Sequence, residues 1–233
     1  MTAASVTLIG NEGFHIATGG RDVYIDAFYD PIYGVAGRPR SGKEGITKAD
    51  LILVTHCHGD HFNPGRVAEA ASRTGATVIG PATVIRSLRG KLPPAALVEM
   101  EPPTPGGRSA ARPVKVQLPA ATVTALRTFH SHDHNSYLIE IGGFRAFHDG
   151  DNEDTTRIDA SALGRLDALL IGPWQGSGWV RFIETLCPAR WFIMHLTDEE
   201  LDELEAGRFL PEICDHVPPN LVVLRPGQSF EFP

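Results

Sequence analysis

The feature that most limits what this chain can become is LVTHCHGDHF, residues 53–62, where three histidines and an aspartate follow an apolar run. The run DLILVTH (50–56) has the length and composition of a buried strand. His56, His58, Asp60 and His61 therefore stand at the lip of that strand. Three imidazoles and a carboxylate crowded together repel one another and lose hydration unless a cation joins them. Imidazole at 56 and 58 suits a borderline divalent ion, and Asp60 with His61 suits a second one beside it. Gly59 relieves the crowding where the backbone turns between the two pairs. One short loop thus offers ligands to two metals, the arrangement that activates a shared water. Cys57 falls between two of these positions and, by strand alternation, points away from them.

The surroundings read as a layered α/β protein. Further β-type runs are SVTLIG (5–10), DVYIDAF (22–28), ATVIGP (76–81), VTALRTF (123–129), SYLIEI (136–141), FRAFHDG (144–150), DALLIG (167–172), RWFIMH (190–195) and LVVLRPG (221–227). Helices are expected where Asn63 and Pro64 open a segment that Gly75 closes, and where Thr197 and Glu200 stand at capping-box spacing ahead of Gly207. Strands first in hairpins, then alternating with helices, call for sheets covered by helices. Residues 14–27 and 137–150 are both strand–GlyGly–strand units, each with an aspartate six residues after its second glycine, Asp26 and Asp149. That echo suggests two similar halves, and 233 residues suffice for one domain, 1–233, built that way. Residues 29–48 and 100–113 read as loops, and SGKEG in the first is no phosphate loop, since Glu44 sits where Ser or Thr belongs.

Composition removes several classes of function. A formal charge of −7 argues against a nucleic-acid or membrane-surface binder, both of which need a basic face. No apolar stretch approaches the ~20 residues that span a bilayer, and the N-terminus lacks the pattern of a signal peptide. Cys57, Cys187 and Cys214 are odd in number and scattered, which fits reduced thiols and a cytoplasmic setting.

THCHGDHF matches the HxHxDH signature of the metallo-β-lactamase superfamily, and the resemblance extends over essentially the whole chain. GNEGFHIATGGRDVYIDAF is similar to that family's opening hairpin. FHDGDN (147–152) resembles its Gly-Asp motif, which would make Asp151 the carboxylate that bridges the two metals. ARWFIMHL (189–196) resembles the late strand that delivers the last histidine, here His195. The resemblance implies a four-layer αββα sandwich and two divalent ions, zinc first, with manganese or iron as alternatives. It also requires one more histidine between the signature and Asp151. His130, His132 and His134 all qualify; His130, directly at a strand end, is placed first, and the others would line the pocket or support ligands. His148, beside the Gly-Asp turn, is an alternative supporting or ligating residue. Asp26 is expected to support the signature loop rather than to bind metal.

These residues imply a hydrolase. Two divalent ions against Asp60, Asp151 and a bridging hydroxide leave about one net positive charge to polarise a carbonyl or phosphoryl oxygen. Asp60 is expected to orient the hydroxide and receive its proton. The bond would be ester-like, in a lactone, phosphoester or thioester, with the small branch around ascorbate-phosphate lactonases as the nearest resemblance. The alternatives are a mononuclear iron enzyme akin to sulfur dioxygenases and a non-catalytic descendant. Trp174, Gln175, Ser177 and Trp179 follow a strand end where ligands of α/β proteins gather. Arg38, Arg40 and Lys43 make a basic loop suited to an anionic substrate. The substrate is expected to be a small molecule, and oligomeric state is not legible.

Overall fold

The computed structural model describes residues 3–30, 46–104, 112–131, 133–173 and 178–233. One sheet contains β1 (Ala4–Gly10), β2 (Gly13–Thr18), β3 (Arg21–Ile25), β4 (Leu51–Leu53), β5 (Thr77–Gly80) and β6 (Leu97–Glu99), with β14 (Ser229–Phe232) at its other edge beside β1. The second sheet runs β7 (Val114–Gln117), β8 (Thr122–Arg127), β9 (Asn135–Ile141), β10 (Phe144–His148), β11 (Ala168–Ile171), β12 (Arg190–Ile193) and β13 (Leu221–Val222). Read from β14 in one sheet and from β7 in the other, the pairing pattern is the same: three antiparallel contacts, then three parallel ones. The two GlyGly hairpins, β2–β3 and β9–β10, occupy equivalent places in this order.

Alternation assigns each strand face to a layer. Val6, Leu8, Ile16, Leu51 and Leu53 of the first sheet meet Val123, Ala125, Tyr137, Ile139 and Phe192 of the second in one buried core. On the outer face of the first sheet, Ile52 and Val78 pack with Val67, Ala70 and Ala71 of α1 (Pro64–Thr74) and Val84 and Leu88 of α2 (Ala82–Leu88). On the outer face of the second, Leu138, Phe147, Trp191 and Ile193 pack with Leu163 of α3 (Ala160–Leu163), Phe182 and Ile183 of α4 (Trp179–Leu186), Leu201 of α5 (Asp198–Glu205) and Phe209 of α6 (Phe209–Ile213). The result is the αββα sandwich expected from the resemblance.

Both expected helices form. The Asn63 side chain accepts from Gly65 N and Arg66 N, Pro64 opens α1, and Gly75 ends it at φ 75°. Thr197 and Glu200 close a reciprocal capping box on α5. The run at 50–56 keeps strand structure only through Leu53, and the run at 221–227 only through Val222. In the first case the chain leaves the sheet to present its ligands. Among the described residues no helix is long and apolar enough to cross a membrane.

Candidate metal centre

Residues from both sheets converge at one edge, between the layers. His56, His58, Asp60 and His61 follow β4, His130 follows β8, Asp151 follows β10, and His195 follows β12. His56, His58, His130 and Asp151 form one group whose ligand atoms all lie within 4.8 Å of one another, and Asp60, His61 and His195 form another. Asp151 stands between them. Its Oδ2 is 3.6 Å from His56 Nε2, 3.3 Å from His61 Nε2 and 3.3 Å from His130 Nε2, while its Oδ1 is 3.5 Å from His195 Nε2. Asp60 Oδ2 lies 3.6 Å from His61 Nε2 and 3.7 Å from His195 Nε2. Ligand atoms bound about 2.0–2.1 Å from a tetrahedral ion stand about 3.3 Å apart, so these spacings suit atoms that share a cation. His56 Nε2, His61 Nε2 and Asp151 Oδ1 are buried without a hydrogen-bond partner. Buried polar atoms are nearly always satisfied, so three orphans aimed at one space fit a metal.

The supporting network sets which nitrogen is offered. Asp26, at φ 46° just past β3, accepts from Thr55 N (2.8 Å) and Thr55 Oγ1 (2.5 Å). With Thr55 donating to Asp26, His56 Nδ1–H donates to the threonine oxygen at 3.0 Å, which turns the Nε2 lone pair to the centre. His61 Nδ1–H donates to Asp26 Oδ2 at 3.0 Å, with the same effect. His130 Nδ1 is held by Glu153 Oε1 at 2.8 Å. These are the carboxylate–histidine contacts that orient metal ligands. Asp26 thus holds the signature loop.

Two of the three candidate histidines, His130 and His134, fall among the described residues, and they face differently. His130 joins the first group. His134 is fully buried with both nitrogens engaged: Nδ1 lies 2.8 Å from Thr128 Oγ1, and Nε2 accepts from Asp151 N at 3.0 Å. It steadies the Asp151 backbone instead of facing the centre, because strand β9 begins immediately after it. His132 lies outside the described residues. His148 is likewise engaged at both nitrogens, donating to the Glu12 carbonyl at 2.9 Å and accepting from Gly150 N at 3.1 Å. Gly150 itself sits at φ +60°, and a Cβ there would come within 2.9 Å of His134 Cε1 and 3.1 Å of Thr55 Cγ2.

Electrostatics divide the two groups. Burial, then the neighbouring histidines, drives the His56 imidazole far below its usual range, so it is neutral. Burial acts the same way on His61, but Asp151, Asp26 and Glu12 outweigh it and hold this imidazole well above its usual range. Burial would raise Asp151, yet His61, His195 and His56 keep it ionised. Burial also opposes ionisation of Asp60, where the hydrogen bond from His195 and the charge of His61 prevail.

One expected substrate residue, Trp179, is not brought to the site. Trp179 opens α4, is buried, and packs 6.1 Å centroid to centroid from Trp191; an indole at that helix start finds more apolar surface inside than at the mouth. Trp174, Gln175, Ser177, Arg38, Arg40 and Lys43 lie outside the described residues. Cys57 is exposed and free. Glu12, in the β1–β2 turn, was not anticipated: it is buried beside His61 and Asp151, and burial followed by the Asp151 charge raises its carboxyl well above the usual range. The signal was a charged residue inside the apolar hairpin GNEGF. Phe129, next to His130, is half exposed, with the Arg157 guanidinium 5.1 Å from its ring centre.

Two sheets of this topology with a histidine–aspartate cluster at one edge define the metallo-β-lactamase class of fold. The model of the beta-lactamase superfamily domain matches residues 21–211, and the chain belongs to that family. It is 27% identical over 237 residues to a protein of Thermococcus onnurineus named a metal-dependent hydrolase, covering 97% of this chain and 98% of that one. Among solved structures it resembles Igni18, a metallo hydrolase of Ignicoccus hospitalis, with a TM-score of 0.69 at 18% identity over 99% of both chains. A diphosphatase of the PhnP family superposes with a TM-score of 0.63 at 16% identity, over 100% of this chain and 98% of that one.

Proposed function

We propose that this chain is a metal-dependent hydrolase that holds two divalent ions and cleaves an ester-like bond of a small molecule. The observation that carries the proposal is the set of buried, unpartnered atoms His56 Nε2, His61 Nε2 and Asp151 Oδ1, with the two imidazole nitrogens 3.6 and 3.3 Å from the other oxygen of Asp151. His56, His58, His130 and Asp151 would hold one ion; Asp60, His61, His195 and Asp151 the other. Zinc suits the imidazole-rich first position best, with manganese or iron as alternatives. When bound, the ions would supply a water of lowered pKa, toward ~7, and a charge to polarise the substrate oxygen. The chain contributes the rest. Asp26, Thr55 and Glu153 fix the imidazoles, so no reorganisation is needed during reaction. Asp60, its side chain 22% exposed at the mouth, is placed to take the proton that water releases and to return it to the departing oxygen or sulfur.

The substrate carries a lactone, phosphoester or thioester, and the likeness to a diphosphatase supports the phosphoester among these. Arg38 and Arg40 would hold an anionic group remote from the bond. The setting is cytoplasmic, with no nucleic-acid or membrane partner. The test is elemental analysis of protein purified without chelator, followed by hydrolysis of a lactone, phosphodiester and thioester panel. Two metal equivalents with chelator-sensitive turnover of at least one class are expected. Metal-loaded protein inert toward all three classes would overturn the assignment.

A further inference from the structure

Among the described residues Glu12 is a buried carboxylate, 1% exposed, with no donor on either oxygen. Its neighbours are not donors that would welcome a carboxylate. Glu12 Oε2 lies 3.7 Å from His61 Nδ1, whose hydrogen is already committed to Asp26, and the ligand atoms of Glu12, His61 and Asp151 lie within 4.8 Å of one another. Asp26 and His148 stand on its other flank, with Asp26 saturated by Thr55 and His61 and His148 engaged at both nitrogens. Gly172, just past β11, leaves room between Glu12 and His195: a Cβ there would sit 3.4 Å from Glu12 Oε1 and 3.6 Å from the Cβ of His195. The carboxylate therefore lies beside His61 and Asp151, two of the four groups of the second metal position.

A buried carboxylate beside two others, without a donor, is costly unless positive charge faces it. A neutral or apolar side chain would fold more easily in this turn. We propose that Glu12 is a further carboxylate of the metal centre, serving the second position, where its charge tightens the hold on the ion carried by Asp60, His61 and His195. This rests on the two-metal reading given above. It leaves the first position, built from His56, His58 and His130 on the far side of Asp151, little affected.

The test uses zinc alone as probe. Zinc affinities of full-length wild type and Glu12→Gln are measured by competition against a chromophoric chelator, alongside metal content and melting of chelator-treated protein. The isosteric amide removes the charge and keeps the volume. One zinc is expected to bind about tenfold or more weakly in Glu12→Gln, the scale at which groups that support metal ligands act, with the other unchanged. Glu12→Asp, which keeps the charge on a shorter arm, should recover part of the loss. Chelator-treated Glu12→Gln should melt no lower than wild type. Two zinc ions held equally by wild type and variant overturn this inference alone, as does a lower melting temperature without metal, the mark of a structural carboxylate. Wild-type protein that holds fewer than two equivalents overturns the two-metal reading and this inference together.

Discussion

Asp26 shows how much one buried residue outside the metal positions can decide. Its carboxylate accepts from Thr55 N, Thr55 Oγ1 and His61 Nδ1, so it sets the tautomers of His56 and His61 together. Asp26→Asn keeps the shape but turns an amide N–H toward one of these donors. Zinc affinity is expected to fall about 10–100-fold, measured by chelator competition, with the fold intact by circular dichroism. The two positions should also differ in pH dependence. In the metal-free protein His61 holds its proton well above the usual histidine range, whereas His56 is neutral. An ion entering beside His61 must displace that proton, so affinity at the second position rises with pH and is lost on acidification; the first position changes less. Calorimetry in buffers of different ionisation enthalpy reads the released proton. A single pH dependence common to both equivalents would contradict this division. Gly150→Ala is expected to destabilise the protein and loosen Asp151, since φ +60° and the His134 ring both exclude a side chain there.

At the scale of elements, what was legible in the sequence was what has local physics. The caps of α1 and α5, the two GlyGly hairpins and the ligand loop after β4 each depend on a few neighbouring residues, and each appears where expected. Strands β6, β7 and β14 are not legible because they are short edge strands; β14 pairs with the far end of the chain at β1, and β7 stands only on its hairpin with β8. The contest between His130 and His134 had the same origin. Both stand between β8 and β9, and only the packing of Thr128 and the Asp151 amide against His134 shows which ring turns inward. The role of Glu12 is not legible from the sequence because its neighbours His61, His148 and Asp151 follow or belong to β4 and β10, far away in the chain. The α5 cap offers a control remote from the chemistry: Thr197→Ala should cost about 1 kcal/mol of stability by denaturant titration and leave metal content unchanged. Loss of metal in that variant would tie the cap to the position of His195, two residues before it.

For the whole molecule, the sandwich places its ligands by convergence. Each sheet is a continuous apolar face, and the ligands are carried on the loops that leave β4, β8, β10 and β12 at one edge. Burying His56 Nε2, His61 Nε2 and Asp151 Oδ1 without partners costs stability that bound ions would return, so the proposed metals and the fold would be thermodynamically linked. Chelator treatment is expected to lower the melting temperature, and added zinc to restore it in proportion to the logarithm of free zinc. A melting temperature indifferent to chelator would mean that the cluster is stable without ions. Asp151→Ala is expected to lose metal at both positions, while Asp60→Ala or His195→Ala empties chiefly the second, as elemental analysis would report.

The proposed two-metal centre is tested most directly by anomalous diffraction at the metal absorption edge, from crystals of protein purified without chelator or added metal. Two peaks about 3.5–4 Å apart are predicted. One should lie among His56, His58, His130 and Asp151, and the other among Asp60, His61, His195 and Asp151. A single peak, or a second one coordinated by other residues, would contradict it.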